Sequence, residues 1–164
     1  MTNNTKNIKD KNTAKPRKTI ALNKKARFEY HLEDKFEAGI VLEGWEVKSI
    51  KAGRIQLIES HVIIRDAEVF LLNCNITPLD TACTHKENDP RRTRKLLLHQ
   101  KEITKLIGYI NQKGYTLVPI AMYWKGCKIK LEINIAKGKK LHDKRASLKE
   151  KDIKKQQLKK IKLD

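Results

Sequence analysis

TLVPIAMYWKGCKIKLEINIA, residues 116–136, decides the fold. After the turn at Lys125 and Gly126, Ile129, Leu131, Ile133 and Ile135 alternate with Lys128, Lys130, Glu132 and Asn134. A period of two means a strand with one dry face and one wet face. The β-branched and aromatic run 116–124 folds back on it as a hairpin. A second hairpin is predicted from 61–65 and 68–72, joined at Asp66 and Ala67. Upstream, Phe28, Tyr30 and Leu32 alternate with Glu29, His31 and Glu33, and Phe36, Ala38, Ile40 and Leu42 alternate again. These runs predict two one-sided strands or a single bent pair. A short helix is predicted over 45–52, with Val47 and Ile50 inward and Gly53 as its stop.

NDPRRTRKLLLHQKEITKLIGYI, residues 88–110, joins the two halves. Pro90 stops regular structure, and Arg91, Arg92, Arg94 and Lys95 follow as a basic loop with no acid among them. Ile103, Leu106, Ile107 and Ile110 then fall on one helical stripe, with Lys101, Glu102, Lys105 and Asn111 facing away. Glu102 lies three residues after His99, the spacing of a capping box, and Gly114 follows as a stop. An arginine fork at the foot of a packed helix suits phosphate, because planar guanidinium groups bind two oxygens at once. A solvated basic turn beside a core helix is the plainer reading.

Five or six antiparallel strands and two helices over residues 21–136 predict a mainly β domain with flanking helices. The simplest fit is a small antiparallel barrel of the oligonucleotide-binding type. A four-stranded sheet backed by helices fits less well, since the elements do not run βαββαβ. Residues 1–20 have almost nothing to bury and are expected as a disordered basic arm. Residues 137–164 are expected as a basic tail, disordered when free and helical when laid along RNA, reaching roughly 40 Å at about 1.5 Å per residue.

The 164 residues carry a formal charge of +18, distributed unevenly. Residues 1–27 hold +8, residues 137–164 hold +8, and the middle holds +2. The partner is therefore a polyanion met by the arms. No apolar run approaches the roughly 20 residues that span a bilayer, and the start lacks a secretory signal. A soluble cytoplasmic protein is expected, with no membrane association. Cys74, Cys83 and Cys127 are odd in number and irregularly spaced, so neither a disulfide framework nor a metal site is indicated. No phosphate-binding glycine loop, dinucleotide fingerprint or nucleophile elbow occurs, and no cofactor is expected. His31, His61, His85, His99 and His142 could supply a metal-free ribonuclease, but nothing pairs any two of them. Glu29, Glu33, Glu37, Glu43 and Glu46 read as solvent-facing partners of basic residues. With aromatics at only 5%, base-stacking readout is disfavoured and recognition of a folded RNA by its backbone shape is preferred.

ALNKKARFEY (21–30), FEAGIVLEGWEVKSIKAGRI (36–55), DPRRTRKLLLH (89–99), GYTLVPIAMYWK (114–125) and AKGKKLHDKR (136–145) occur in this order and spacing. Together they resemble the small protein B family of bacterial SsrA-binding proteins, over residues 21–145. The resemblance implies an oligonucleotide-binding-type barrel that binds transfer-messenger RNA and carries it to ribosomes stalled on messages without a stop codon. Protein and RNA together would mimic a transfer RNA. Alanine-charged RNA and elongation factor Tu are implied as neighbours, and a non-enzymatic monomer is expected. It implies RNA-binding roles for Asn23, Lys24, Lys25, Arg27, Glu37, Arg91, Arg92, Arg94, Lys95, Leu97 and Lys130. Of these, Asn23 and Lys130 are expected to touch RNA, Glu37 to orient a basic neighbour and Leu97 to pack. In the tail, Gly138, Lys139, Lys140, His142, Asp143, Lys144 and Arg145 are implied to enter the messenger channel near the decoding site of the ribosome. A structural ribosomal protein is the alternative, and a small ribonuclease a more distant one.

Overall fold

The computed structural model describes residues 18–80 and 88–140, together with Arg145, Leu148, Lys149 and Ile153, which are helical. The elements are β1 (Lys18–Leu22), α1 (Lys24–Glu29), β2 (Tyr30–Ile40), α2 (Gly44–Lys51), β3 (Ile55–Gln56) and β4 (His61–Arg65). There follow β5 (Glu68–Leu72), β6 (Asn75–Ile76), β7 (Arg94–Leu97), α3 (Gln100–Ile110), β8 (Tyr115–Lys125) and β9 (Lys128–Gly138).

The long hairpin organises the rest. β9 pairs with β8 along its whole length, from Lys125 opposite Lys128 to Tyr115 opposite Lys137. Its other edge takes β2, from Gly39 opposite Lys130 to Tyr30 opposite Gly138. β7 continues from β2, β5 from β7 and β4 from β5, and Val62 of β4 meets Leu117 of β8. The order β8-β4-β5-β7-β2-β9 thus returns to β8 and closes a six-stranded antiparallel barrel. Closure removes the exposed edges that an open sheet would present. β1 adds to β8 beyond the point where β4 leaves it, and β3 pairs with β6 as a small separate ribbon. The expected mainly β barrel with flanking helices is the observed class.

Alternation sorts the side chains as the sequence predicts. Leu131, Ile133 and Ile135 point into the barrel with Phe36, Ala38, Val69, Leu71, Leu96, Leu117 and Met122. Each such aliphatic side chain contributes about 1.5–3 kcal/mol on burial. The apolar stripe of α3 covers the barrel through Ile103 and Leu106, and its first turn is closed by His99 N donating to Glu102 Oε2 at 2.8 Å.

Five expectations are corrected. Phe28 and Glu29, expected to begin a strand, instead end α1, which starts where the Asn23 side chain caps the backbone N–H of Ala26. The alternation of Tyr30 to Leu42 then belongs mostly to one strand, β2, whose register shifts between Leu32 and Lys35. Lys18 to Ile20, placed in the expected arm, belong to β1, and β9 continues to Gly138 rather than ending at Ala136. Arg94 and Lys95, expected in a loop, open strand β7.

The β4–β5 turn places Asp66 at φ 52° and Ala67 at φ 58°. Two left-handed residues make the mirror-image turn that matches strand twist, but a Cβ at the second position is strained. Ala67→Gly should raise unfolding stability by about 1 kcal/mol. Urea titration is the check, and an unchanged midpoint would mean the turn relaxes without strain.

Candidate nucleic-acid interface

Among the described residues the basic candidates fall into separate places. Arg94 is fully buried, and its guanidinium is consumed inside the protein: Nε donates to Glu46 Oε1 at 2.6 Å, and Nη1 to Cys74 O at 2.6 Å and Arg92 O at 3.0 Å. Nη2 donates to Pro90 O at 3.2 Å. Arg92 shares the same carboxylate, with Nη2 at 2.6 Å from Glu46 Oε2, and Glu46 is itself fully buried. The hydrogen bond from Arg92 to Glu46 raises the Arg92 pKa still further, against partial burial. The expected arginine fork is thus an internal clamp in two of its three members, because a buried carboxylate needs both charge and hydrogen bonds. The solvent-facing role read for Glu46 is corrected with it. Arg91 remains exposed, its backbone N–H held by Asp89 Oδ1 at 2.8 Å, and exposed Lys95 pairs with Glu68.

Asn23 is 2% exposed and is also spent internally. Its Nδ2 donates to Leu57 O at 3.0 Å and Pro119 O at 3.2 Å, while its backbone N–H donates to Ile120 O at 2.8 Å. The Pro119 and Ile120 carbonyls lie where β8 changes register, between Pro119 and Ala121. Asn23, expected to touch RNA, is thus spent on internal carbonyls and on capping α1. It fixes α1, whose Ala26 packs with Val118, Ile120, Tyr123 and Ala136 on the outside of the barrel. Lys24, Lys25 and Arg27 on α1 are exposed and form no ion pair among the described residues.

Tyr123 joins that satellite core to the outer face of β2. Its hydroxyl donates to Glu37 Oε2 at 2.6 Å, and Lys125 Nζ donates to Glu37 Oε1 at 2.6 Å. Burial alone would raise the Glu37 carboxyl, but hydrogen bonds from Lys125 and Tyr123 and the nearby Lys130 charge outweigh it and hold it below 4.5. Glu37, expected to orient a basic neighbour, is bonded to Lys125. Lys130 lies opposite Tyr123 on one side and Gly39 on the other. Leu97, expected to pack, is 54% exposed, lying across Gly39, where an added Cβ would stand 3.2 Å from its own. Its inward neighbours on β7 are Arg94 and Leu96, so Leu97 faces out with Lys95.

Lys24, Lys25, Arg27, Lys125, Lys130, Glu37 and Leu97 therefore share one continuous outer surface running from α1 across β8, β9 and β2 to β7. The root of the tail touches the same region: Gly138 pairs with Tyr30, Lys139 N donates to Glu29 O at 3.0 Å, and Lys140 is exposed. Arg145 is exposed on a helical segment, and His142, Asp143 and Lys144 lie outside the described residues, as do Cys83 and His85. Sequence reasoning missed Lys125 and Tyr123. The signal was present, since Tyr123 alternates outward in β8 with its polar tip available. Among the described residues no cluster of His, Cys, Asp or Glu is arranged for a metal ion, and no helix is long and apolar enough to cross a membrane.

A closed small barrel with a cation-rich outer face defines the class: a nucleic-acid-binding protein of the oligonucleotide-binding architecture. The family model described as SmpB protein matches residues 20–163, and the chain belongs to that family. An SsrA-binding protein of Alkalilimnicola ehrlichii is 57% identical over 141 residues, covering 86% of this chain and 88% of the relative. One from Ralstonia nicotianae is 58% identical over 134 residues, covering 82% and 90%. A solved structure described as "tmRNA-SmpB: a journey to the center of the bacterial ribosome" is 40% identical with a TM-score of 0.61, covering 73% of this chain and 84% of that one.

The two carboxylates should respond differently to neutralisation. Glu46→Gln leaves Arg94 buried without its counter-charge and should destabilise the fold by about 3–5 kcal/mol in urea unfolding. Glu37→Gln should cost less than about 1 kcal/mol. Because the Glu37 pKa is depressed in the folded state, the wild-type advantage over Glu37→Gln is present above pH 4.5 and lost as pH falls through the lower folded value. A difference independent of pH would refute the Glu37–Lys125–Tyr123 coupling.

Proposed function

We propose that this chain binds transfer-messenger RNA and delivers it to stalled bacterial ribosomes, acting as a non-enzymatic monomer in the cytoplasm. The observation that carries this reading is the continuous outer face from α1 to β7, in a chain matching the SmpB family over residues 20–163. Lys24, Lys25, Arg27, Lys125 and Lys130 are the cations on that face that would meet RNA phosphates, with Arg91 and Lys95 at its margin. Glu37 and Asn23 act through neighbours, Glu37 by holding Lys125 and Asn23 by seating α1. Arg92 and Arg94 maintain the strand that displays Leu97. The protein would stand in for part of a transfer RNA, and the elongation factor that carries alanine-charged RNA would be its neighbour.

The tail serves a separate surface. Gly138, Lys139, Lys140, His142, Asp143, Lys144 and Arg145 lead it toward the messenger channel near the decoding site. A lysine-rich segment that is marginal as a free helix gains order only along a phosphate-lined path, which a resident message would occupy.

Replacing Lys24, Lys25 and Arg27 together by Ala should weaken binding of the transfer-RNA-like portion of transfer-messenger RNA and lower the salt slope by about two to three. Arg91→Ala should lower it by about one or less. An unchanged slope in the triple variant would sink the role of α1. Truncation after Lys140 should leave that affinity within about threefold while abolishing tagging on stalled ribosomes. Equal loss of both would argue that the tail belongs to the primary RNA site.

A further inference from the structure

At the turn end of the β8–β9 hairpin two clefts meet. One, of about 480 Å³, is lined by Leu42, Leu97, Ile129, Lys128 and Lys130 among others. The other, of about 960 Å³, opens between β1 and α2 and includes Ile20, Ile50, Lys18 and Lys51. Val47, Trp124 and Cys127 line both. Their sizes suit a small-molecule fragment, and the lining is apolar with a few polar groups, as binding clefts generally are.

Three features decide what fits. The rim carries Lys18, Lys51, Lys128 and Lys130, and among the described residues no acid lines either cleft. The half-buried Trp124 offers an aromatic plate, and its indole N–H has no hydrogen-bond partner among the described residues. By contrast, the indole of Trp45 donates to Glu43 Oε2 at 2.8 Å. Partly buried indoles usually satisfy that donor, so the Trp124 donor is available to a ligand. Finally, Leu97 and Lys130 belong both to the cleft and to the outer RNA face, which makes the two continuous.

We propose that this cleft takes one unstacked nucleotide of the bound RNA, its base against Trp124 and its phosphates toward Lys128 and Lys130. The proposal rests on the RNA-binding reading above and adds a base-reading subsite to a surface otherwise suited to backbone recognition. Base-on-indole stacking tolerates any base, so the site selects an extruded nucleotide rather than a sequence. A duplex end cannot enter, because its bases remain stacked and paired. Cys127, at the mouth, serves as a reporter of occupancy.

The test uses the full chain carrying Trp45→Phe and Cys83→Ser, so that Trp124 is the remaining tryptophan. Cys127 is then the exposed thiol, since Cys74 is buried and its pKa is pushed up to about 11 by that burial. The probe is a transcript of the transfer-RNA-like portion of transfer-messenger RNA. At saturation, Trp124 fluorescence should be quenched and maleimide reaction at Cys127 slowed. Trp124→Ala should weaken binding about tenfold, while Trp124→Phe, which keeps a stacking ring, should stay within about threefold. Should Trp124→Ala melt early, fluorescence and thiol protection in the parent chain decide alone. Tight binding with unchanged fluorescence and unchanged Cys127 reactivity would overturn the subsite and leave the RNA-binding reading intact. Failure of the parent chain to bind the transcript would remove that reading first and the subsite with it.

Discussion

Glu46, fully buried in α2, holds Arg94 of β7 and Arg92 of the preceding turn, and most of the display surface depends on that contact. Burying three charges is unfavourable until every donor and acceptor is matched. Here the carboxylate also accepts the backbone N–H of Glu43 at 2.6 Å, and Arg94 reaches the carbonyls of Cys74, Arg92 and Pro90. Such a cluster tolerates one register. A one-residue slip of β7 would turn Arg94 outward and drive Lys95 and Leu97 into the barrel. The ion cluster therefore contributes specificity of pairing more than net stability, and the position of Leu97 beside Gly39 and Lys130 follows from it.

A second constraint places the helix that carries the cations. The pairing of β8 shifts register beside Pro119, which has no N–H, and the carbonyls of Pro119 and Ile120 are left to find donors elsewhere. Asn23 supplies both, and with its remaining oxygen caps α1. One side chain thus links a defect in the barrel wall to the first turn of a helix. Ala26 and Tyr123 complete the seat, and Lys24, Lys25 and Arg27 are left facing solvent beside Lys125 and Lys130.

The long hairpin, the Asp66–Ala67 hairpin and α3 were legible because their periods are regular and their faces sharply two-sided, whereas for α2 only the position was legible: it buries Glu46, Ser49 and Ile50, and Val47, expected inward, stays partly exposed. The barrel followed from strand number and connection. What alternation could not reveal was a switch of state at Asn23, where a capping side chain starts a helix that takes in Phe28 and leaves the strand period to begin at Tyr30. Nor could it reveal that Arg94 points inward, because an arginine reads as surface until the buried carboxylate that neutralises it is known, and Glu46 lies 48 residues away. The spacing of Glu43 and Glu46 as a capping box was a local clue to that helix start, not to the burial. The resemblance to known sequences named candidate positions, but what Asn23, Glu37 and Leu97 each touch required geometry.

Charge distribution explains why a nearly neutral barrel sits between two strongly basic arms. Phosphate contacts made by flexible lysines raise affinity for any polyanion and carry little orientation. A rigid surface that also contains a carboxylate does the reverse: Glu37 lowers the local potential but fixes Lys125 and Tyr123 in one arrangement. Were that face uniformly basic, many RNA poses would be nearly equal in energy. With Glu37 among the cations and Leu97 apolar at their edge, a phosphate placed over the carboxylate is repelled and one placed over Lys130 is attracted. In the proposed reading the basic arms would hold the RNA near and the mixed face would decide its register, and a cleft beside that face could take a single nucleotide only once the register is set.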